Sequence, residues 1–166
     1  AYLLFIRYLV LVLLGIFKLG LLYLVFTPLT VYPVFGLGYL INNSTRILTG
    51  NIIFFKGIYA NIIPACIAGA AYYLLLILNL STPMKVKQRL KSLSFLILTF
   101  LVLNIIRILA FLMLAAGGFE YFDITHRTTW YFGSTIMVVL IWFANVWFFK
   151  VNKIPIYSDF KKIFAD

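Results

Sequence analysis

The sequence predicts an all-α polytopic membrane protein with about four transmembrane helices in a single transmembrane domain over residues 1–166. Of these residues 64% are hydrophobic and 11% are charged, a composition far outside the range of soluble proteins. Long apolar runs alternate with short polar breaks, and about 20 apolar residues are enough to cross a bilayer. The charges, 14 Lys and Arg against 4 Asp and Glu, cluster beside the apolar runs and indicate membrane topology, not nucleic-acid binding.

The C-terminal part contains three clear spans, at residues 65–80, 92–116 and 129–149, which form a core over residues 65–150. The break after the first span carries Lys85, Lys87, Arg89 and Lys91, and a basic tail at residues 151–166 follows the last span. Short Lys/Arg-rich segments stay on the cytoplasmic side of a membrane. We therefore expect Cys66 and residues 117–128 to face the extracytoplasmic side.

The N-terminal segment, residues 1–41, is almost continuously apolar but is interrupted by Arg7, Lys18, Pro28 and Pro33. It allows one tilted span over residues 8–27 followed by an interfacial helix, or alternatively a span over residues 19–41. Either alternative supplies one crossing, so the simplest count is four spans with both termini inside.

The outer segment, residues 42–64, precedes the cysteine-bearing span and predicts a short β-hairpin, with strands near 52–55 and 58–63 around Lys56 and Gly57. Because unpaired strand edges cannot face lipid, we expect this segment at the outer interface or packed on protein.

Two polar residues lie deep within neighbouring apolar runs, where such residues are costly and are commonly functional or paired. Cys66, the only cysteine, lies 15 residues before Ser81. Arg107 lies 15 residues after Ser92, so each side chain is roughly 22 Å from the inner end of its helix. We therefore expect the thiol and the guanidinium at one level on antiparallel helices. Asn104 shares a helix face with Arg107 and is expected to hold it in place.

The only histidine, His126, stands at the outer start of the last span, and Asp123 precedes it by three residues. If this segment is helical, the two side chains share a face, and the carboxylate fixes the imidazole tautomer. Counting from Lys150 puts His126 well above the thiol. The last helix must therefore tilt, dip past the cytoplasmic edge, or begin after the loop that bears the histidine.

Thiol, guanidinium and imidazole together are the components of a thiol acyl-transfer site. A nearby cation and imidazole favour the nucleophilic thiolate, a fixed guanidinium stabilises the developing oxyanion, and the imidazole returns a proton to the leaving amine. Each residue also has a non-catalytic interpretation: Cys66 as packing, Arg107 as a ligand of a phosphate headgroup or helix carbonyls, and His126 as a solvated loop residue. The convergence of all three toward one side of the membrane favours catalysis.

Three separated motifs in the sequence resemble those of a known protein family. The order IIPACIAG, then NIIRIL, then a histidine opening the last apolar span resembles the exosortase/archaeosortase family of membrane cysteine transpeptidases. The stretch TGNIIFFKGIYANIIPAC resembles the segment before the nucleophile in that family. The stretches PACIAGAAYYLLLILNLSTP and FDITHRTTWYFGST are most similar to the small archaeal subgroup called pacearchaeosortases, and the resemblance covers roughly residues 20–150.

The resemblance implies that Cys66, Arg107 and His126 correspond to the nucleophile, arginine and histidine of the family. It implies a multi-pass cell-membrane enzyme that recognises C-terminal sorting signals of surface proteins, each made of a short motif, a transmembrane helix and a basic tail. Such enzymes cleave at the motif on the outer face and transfer the new carboxyl group to an anchor, a lipid in archaeal systems. The implied partners are therefore sorting signals and membrane lipid.

The sequence departs from the family pattern at two places. Many members have Thr or Ser and then Gly after the cysteine, whereas Ile67 and Ala68 here precede Gly69, the glycine that would support the oxyanion site. Many members also have Asp directly after the histidine, where this chain has Arg127. The pairing of Asp123 with the histidine is thus inferred from spacing and not from the family.

A non-catalytic membrane module, such as a transporter subunit or a lipid-binding scaffold, is the alternative function. The chain lacks the motifs of two other protease classes, G-x-S-x-G of serine enzymes and H-E-x-x-H of metalloproteases. No metal or other cofactor is predicted, since one histidine and one cysteine do not make an ordinary zinc site.

Overall fold

The structure, a computed structural model, describes residues 2–16 and 19–151 and is mostly helical. Lys18 and all but the first residue of the predicted basic tail lie outside the described residues. The elements in chain order are α1 (Tyr2–Ile16), α2 (Gly20–Ile41), β1 (Arg46–Leu48), β2 (Ile52–Phe55), β3 (Ile58–Asn61), α3 (Pro64–Ile67), α4 (Gly69–Ser81), α5 (Val86–Ala116), α6 (Phe122–Thr128), a π-helical turn (Thr129–Gly133) and α7 (Ser134–Phe149).

Four helical segments among the described residues are long and apolar enough to cross a membrane: Gly20–Ile41, Pro64–Ser81, Val86–Ala116 and Phe122–Phe149. Four helices of this length and composition agree in number with the four predicted spans. The second and third C-terminal helices are longer than predicted, because helix α5 already begins at Val86 and the last helical segment begins at Phe122. A helix can continue through polar residues beyond the apolar run, so the apolar run alone underestimates its length.

At the N-terminus, the structure agrees with the alternative span over residues 19–41 and not with a span over residues 8–27, which is wrong. Helix α1 ends at Ile16 and α2 begins at Gly20. Directly before α2, Leu19 has a φ of 60°, a left-handed conformation that does not continue a right-handed helix. With 15 residues, α1 is shorter than the roughly 20 residues that a straight span needs.

The chain divides into two compact units. The first comprises Ala1–Leu22, Ala70–Phe100 and Ile136–Asp166. Within it, Asn79 of α4 donates to the Ser92 hydroxyl of α5, and Ser92 donates to the Asn145 carboxamide oxygen of α7, both over 2.8 Å. All three side chains are fully buried. Because buried polar groups need partners, this chain of hydrogen bonds fixes the three helices against one another.

The second unit comprises Tyr23–Gly69 and Leu101–Thr135 and contains a three-stranded antiparallel sheet in the order β1-β2-β3. The predicted hairpin is confirmed: β2 and β3 pair from Phe55 opposite Ile58 to Ile52 opposite Asn61. The two turn residues between them, at positions 56 and 57, have φ values of 45° and 89°, as a two-residue hairpin turn requires. Strand β1 was not predicted, and it pairs with β2 on the other side.

Candidate active site

The cysteine lies at the end of a backbone path that leads from β3 through two residues into the short helix α3. Pro64 occupies the first turn of α3, where its missing N–H would have had no partner. The Cys66 N–H donates to the Ile63 carbonyl over 2.8 Å. Helix α3 ends at Ile67, and Ala68 follows in the left-handed conformation, with a φ of 58°. The thiol-bearing residue is half-buried.

The break at Ala68 leaves carbonyl groups that the helix does not satisfy, because the last carbonyls of any helix lack intrahelical partners. Side chains of α5 satisfy them: Asn104 Nδ2 donates to the Cys66 carbonyl over 3.0 Å and to the Ile67 carbonyl over 3.4 Å. Asn104 is fully buried. It was predicted to hold the arginine in place, whereas these two bonds hold the backbone of the cysteine.

Arg107 lies next to the cysteine, at the level that counting residues along the two helices predicts. Its Nη2 donates to the Cys66 carbonyl over 3.2 Å, and its Nη1 donates to the Ser134 hydroxyl over 2.6 Å. The guanidinium is thus oriented from two directions, by the backbone of α3 and by the first residue of α7. Ser134 was missed as a site residue, and its only sequence signal is a hydroxyl placed within an apolar span.

The π-helical turn explains how Ser134 reaches the arginine. In a π-helical turn each hydrogen bond spans five residues, so the turn shifts the face that the following helix presents, and such turns recur at functional sites. At its end, a Cβ on Gly133 would come within 2.9 Å of Thr129 Cγ2, so glycine permits the tight packing of the turn. The sequence contains no pattern that predicts this turn.

His126 lies on the separate helix α6, which precedes the π-helical turn. Its ring stacks on Phe122, with centroids 5.4 Å apart and planes within 9°, and meets the edge of Phe111 at 5.0 Å. Among the described residues it has no hydrogen bond or ion pair with Asp123, although both lie on α6. Aromatic contacts, rather than the predicted carboxylate, therefore orient the imidazole.

Cys66, Arg107 and His126 line one cavity of about 560 Å³ within the second unit. Its walls are largely apolar and come from the strip Ile58–Ile63, from α5 and from α6 with Trp130 of the π-helical turn. Among the residues that the structure describes, the thiol and the imidazole are not hydrogen-bonded to each other. The cavity leaves room between these groups for a ligand of peptide size. Catalytic hydrogen bonds are commonly long before a substrate binds.

Gly69, which the sequence placed near the oxyanion site, performs a packing role in the structure. It begins α4 directly after Ala68. A Cβ at this position would lie 2.7 Å from two ring carbons of Tyr23, on α2. The absence of a side chain lets the ring of Tyr23 lie against the backbone one residue after the break.

Comparison with known protein families finds no model that matches this chain, and comparisons with curated sequences and with solved structures find no match. A functional assignment therefore depends on the chemistry of the cavity and on the motifs in the sequence.

Proposed function

We propose that this protein is a membrane cysteine protease and transpeptidase that cleaves a C-terminal sorting signal of surface proteins and transfers the new carboxyl group to an anchor. The observation that carries the proposal is that a thiol, a guanidinium and an imidazole, from Cys66, Arg107 and His126, line a single cavity. The bond from Arg107 to the Cys66 carbonyl supports it, because it fixes the cation beside the nucleophile. The motif resemblance described above supports it independently.

In the proposed first half-reaction, the Cys66 thiolate attacks the scissile carbonyl and forms a carbon–sulfur bond. Negative charge develops on the carbonyl oxygen, and the guanidinium of Arg107 stabilises it. His126 donates a proton to the leaving amine, the carbon–nitrogen bond breaks, and a thioester with Cys66 remains.

In the second half-reaction, the nucleophile of an acceptor attacks the thioester. His126 takes up the proton of that nucleophile, and the carbon–sulfur bond breaks to regenerate the thiolate. The proposed acceptor is a membrane lipid, since a lipid acceptor would keep the processed protein at the membrane after its own transmembrane helix has been removed.

The proposed topology places this chemistry on the extracytoplasmic face of the cell membrane. Four lysine and arginine residues lie between positions 85 and 91, at the connection of α4 to α5, and Lys150 follows α7. By the positive-inside rule both segments are cytoplasmic. The opposite ends of these helices, which carry Cys66 and the segment before α6, then face outside.

The test is to follow a tagged candidate substrate, a protein from the same genome that ends in a short motif, an apolar span and basic residues. We expect Cys66→Ala to abolish its processing while insertion and thermal unfolding remain unchanged. Ser94→Ala provides the control, because Ser94 is exposed on α5 and remote in sequence from the motifs. In the unaltered protein we expect a thioester between Cys66 and the substrate during turnover, detectable by mass after an acid quench, and in His126→Ala we expect much less of it, because the leaving amine is no longer protonated. Normal processing by Cys66→Ala would overturn the proposal.

One observation favours a second candidate function, a non-catalytic module that binds an anionic headgroup. The guanidinium of Arg107 lies in a largely apolar cavity, a setting that also suits a phosphate. In that case Arg107→Gln would abolish lipid binding and Cys66→Ala would have no effect. The two candidates therefore differ in what the thiol contributes.

A further inference from the structure

Strand β3 is an edge strand of the sheet, and the alternation of its hydrogen bonds identifies which backbone groups face outward. Just beyond β3, the Ile62 N–H donates to the Asn51 carbonyl over 3.1 Å, so these two residues form a hydrogen-bonded pair. In an antiparallel ladder hydrogen-bonded and non-hydrogen-bonded pairs alternate. Ala60 therefore faces β2, while the N–H and C=O groups of Tyr59 and Asn61 point away from the sheet.

This outward edge belongs to the wall of the cavity. All six residues of Ile58–Ile63 line it, and so does Cys66, three residues further along the chain. In the described part of the chain no backbone or side-chain group bonds to the outward peptide groups of Tyr59 and Asn61. Unpaired strand edges are costly in apolar surroundings and are ready to pair with an added strand. A row of alternating donors and acceptors is complementary to one occupant in particular, an extended peptide.

We propose that the substrate segment on the N-terminal side of the scissile bond binds as an added strand on the outward edge of β3. This inference rests on the proposed function and adds to it how the substrate is held. Strand β3 runs toward Cys66, so a segment whose carbonyl reaches the thiol runs parallel to β3. The acyl segment is the part of the substrate that stays on the enzyme through both half-reactions. Pairing it with β3 keeps the thioester in place while the leaving segment departs and the acceptor enters.

The test uses the full chain in detergent and two probes, acetyl-tetra-alanyl chloromethyl ketone and acetyl-alanyl chloromethyl ketone. The Cys66 thiolate displaces chloride from either probe and forms a thioether, and because the chain has one cysteine the mass shift reports this residue alone. We expect the longer probe to react about tenfold faster, since it adds two or more backbone hydrogen bonds. Alternate N–H groups of a bound strand face β3, and the intervening ones face away from it. N-methylation of the first set should therefore remove the faster reaction of the longer probe, and N-methylation of the second set should leave it unchanged.

The matched protein variant is Asn61→Pro, which removes one outward N–H and leaves the bonds to β2 intact. We expect it to slow the tetra-alanyl probe by about fivefold while leaving the rate with iodoacetamide unchanged. Asn61→Ala, which loses the same side chain but keeps the N–H, should react with the tetra-alanyl probe faster than Asn61→Pro does, so the difference between the two variants reports the N–H. Unchanged iodoacetamide reactivity and thermal unfolding show that Asn61→Pro still folds.

Equal rates for the two ketone probes, or equal effects of N-methylation at every amide, would overturn the strand pairing and leave the proposed role of Cys66 standing. A cysteine inert toward both ketones and iodoacetamide would overturn the proposed function itself. The two failures are thus distinguishable in one set of measurements.

Discussion

At the scale of single residues, the neighbours of His126 in the structure differ from the predicted partner, Asp123. The imidazole lies between Phe122 and Phe111 in the cavity wall, and the described contacts of Asp123 do not include it. Aromatic contacts fix the plane of the ring without adding a charge. The histidine therefore depends on its ring neighbours for orientation and not on the exposed carboxylate.

We expect His126→Gln to reduce the rate of substrate cleavage by about 10² to 10⁴-fold, the usual contribution of general acid–base catalysis. Asp123→Asn should change this rate by less than about twofold, because the carboxylate is exposed and forms no hydrogen bond with the ring of His126. Single-turnover cleavage of the tagged substrate measures both variants. A loss with Asp123→Asn comparable to that with His126→Gln would restore the carboxylate as the partner of the histidine.

The pairing of Arg107 with Cys66 was predictable because α4 and α5 are antiparallel neighbours. Although α5 already begins at Val86, Ser92 bonds to Asn79 near the end of α4, so similar residue counts from this contact mean similar heights. The bond from Arg107 to Ser134 was not predictable, because it depends on the π-helical turn before α7. Asn104 was found by its spacing from Arg107, but its partners are the carbonyls freed at Ala68. A left-handed alanine carries no sequence signal, since glycine is the residue that ordinarily adopts this conformation.

At the scale of elements, the cysteine site depends on the break between α3 and α4. At this break, Gly69 is packed too closely for any residue with a side chain. A side chain at this position would meet the ring of Tyr23, whereas a Cβ on Gly36, in the middle of α2, would meet nothing within 4 Å. Both glycines lie in helices of the second unit. The pair therefore compares a new methyl group that meets an aromatic ring with one that meets nothing within 4 Å.

We expect Gly69→Ala to destabilise the protein by about 1–3 kcal/mol, the cost of overpacking. Gly36→Ala should be neutral or stabilise it by up to about 1 kcal/mol, because alanine favours a helix over glycine. Thermal unfolding in detergent, followed by circular dichroism, compares the two variants. If both variants are destabilised, then neither helix tolerates an added methyl group, and the contact with Tyr23 is not the cause.

The elements that sequence reasoning recovered are those with local signals. The hairpin of β2 and β3 is rich in Ile, Phe and Tyr on both sides of Lys56 and Gly57, a pair that suits a two-residue turn. Strand β1 has three residues and is defined only by pairing with β2, so no local pattern identifies it. The break between α1 and α2 had a weaker sequence signal: the apolar segment over residues 1–41 is interrupted there by the single residue Lys18, and the left-handed conformation of Leu19 shows that α2 is a separate helix.

At the scale of the whole molecule, the proposed topology depends on the distribution of positive charge. The cluster from Lys85 to Lys91 is the densest group of positive charge among the described residues, and it lies at the start of α5. The opposite side is not free of positive charge, since Arg46 and Lys56 belong to the sheet segment and Arg127 belongs to α6. The positive-inside rule compares the Lys and Arg content of short loops on the two sides, and four positive charges within seven residues outweigh three that are spread over two separate segments.

Cysteine labelling of intact cells tests this topology in a Cys66→Ala background. Ser44→Cys, between α2 and β1, and Tyr121→Cys, directly before α6, place single thiols at exposed positions on the side predicted to be outside. Val86→Cys, 63% exposed at the start of α5, places one on the side predicted to be inside without removing a charge. A membrane-impermeant maleimide should label the first two variants in intact cells and the third only after permeabilisation. Because charged side chains cannot readily cross the bilayer, the orientation should be uniform, with one accessible side for each thiol.

Labelling of Val86→Cys in intact cells, together with protection of Ser44→Cys, would invert the topology. The thiol, guanidinium and imidazole would then lie in the cytoplasm, where no surface protein could be their substrate after export.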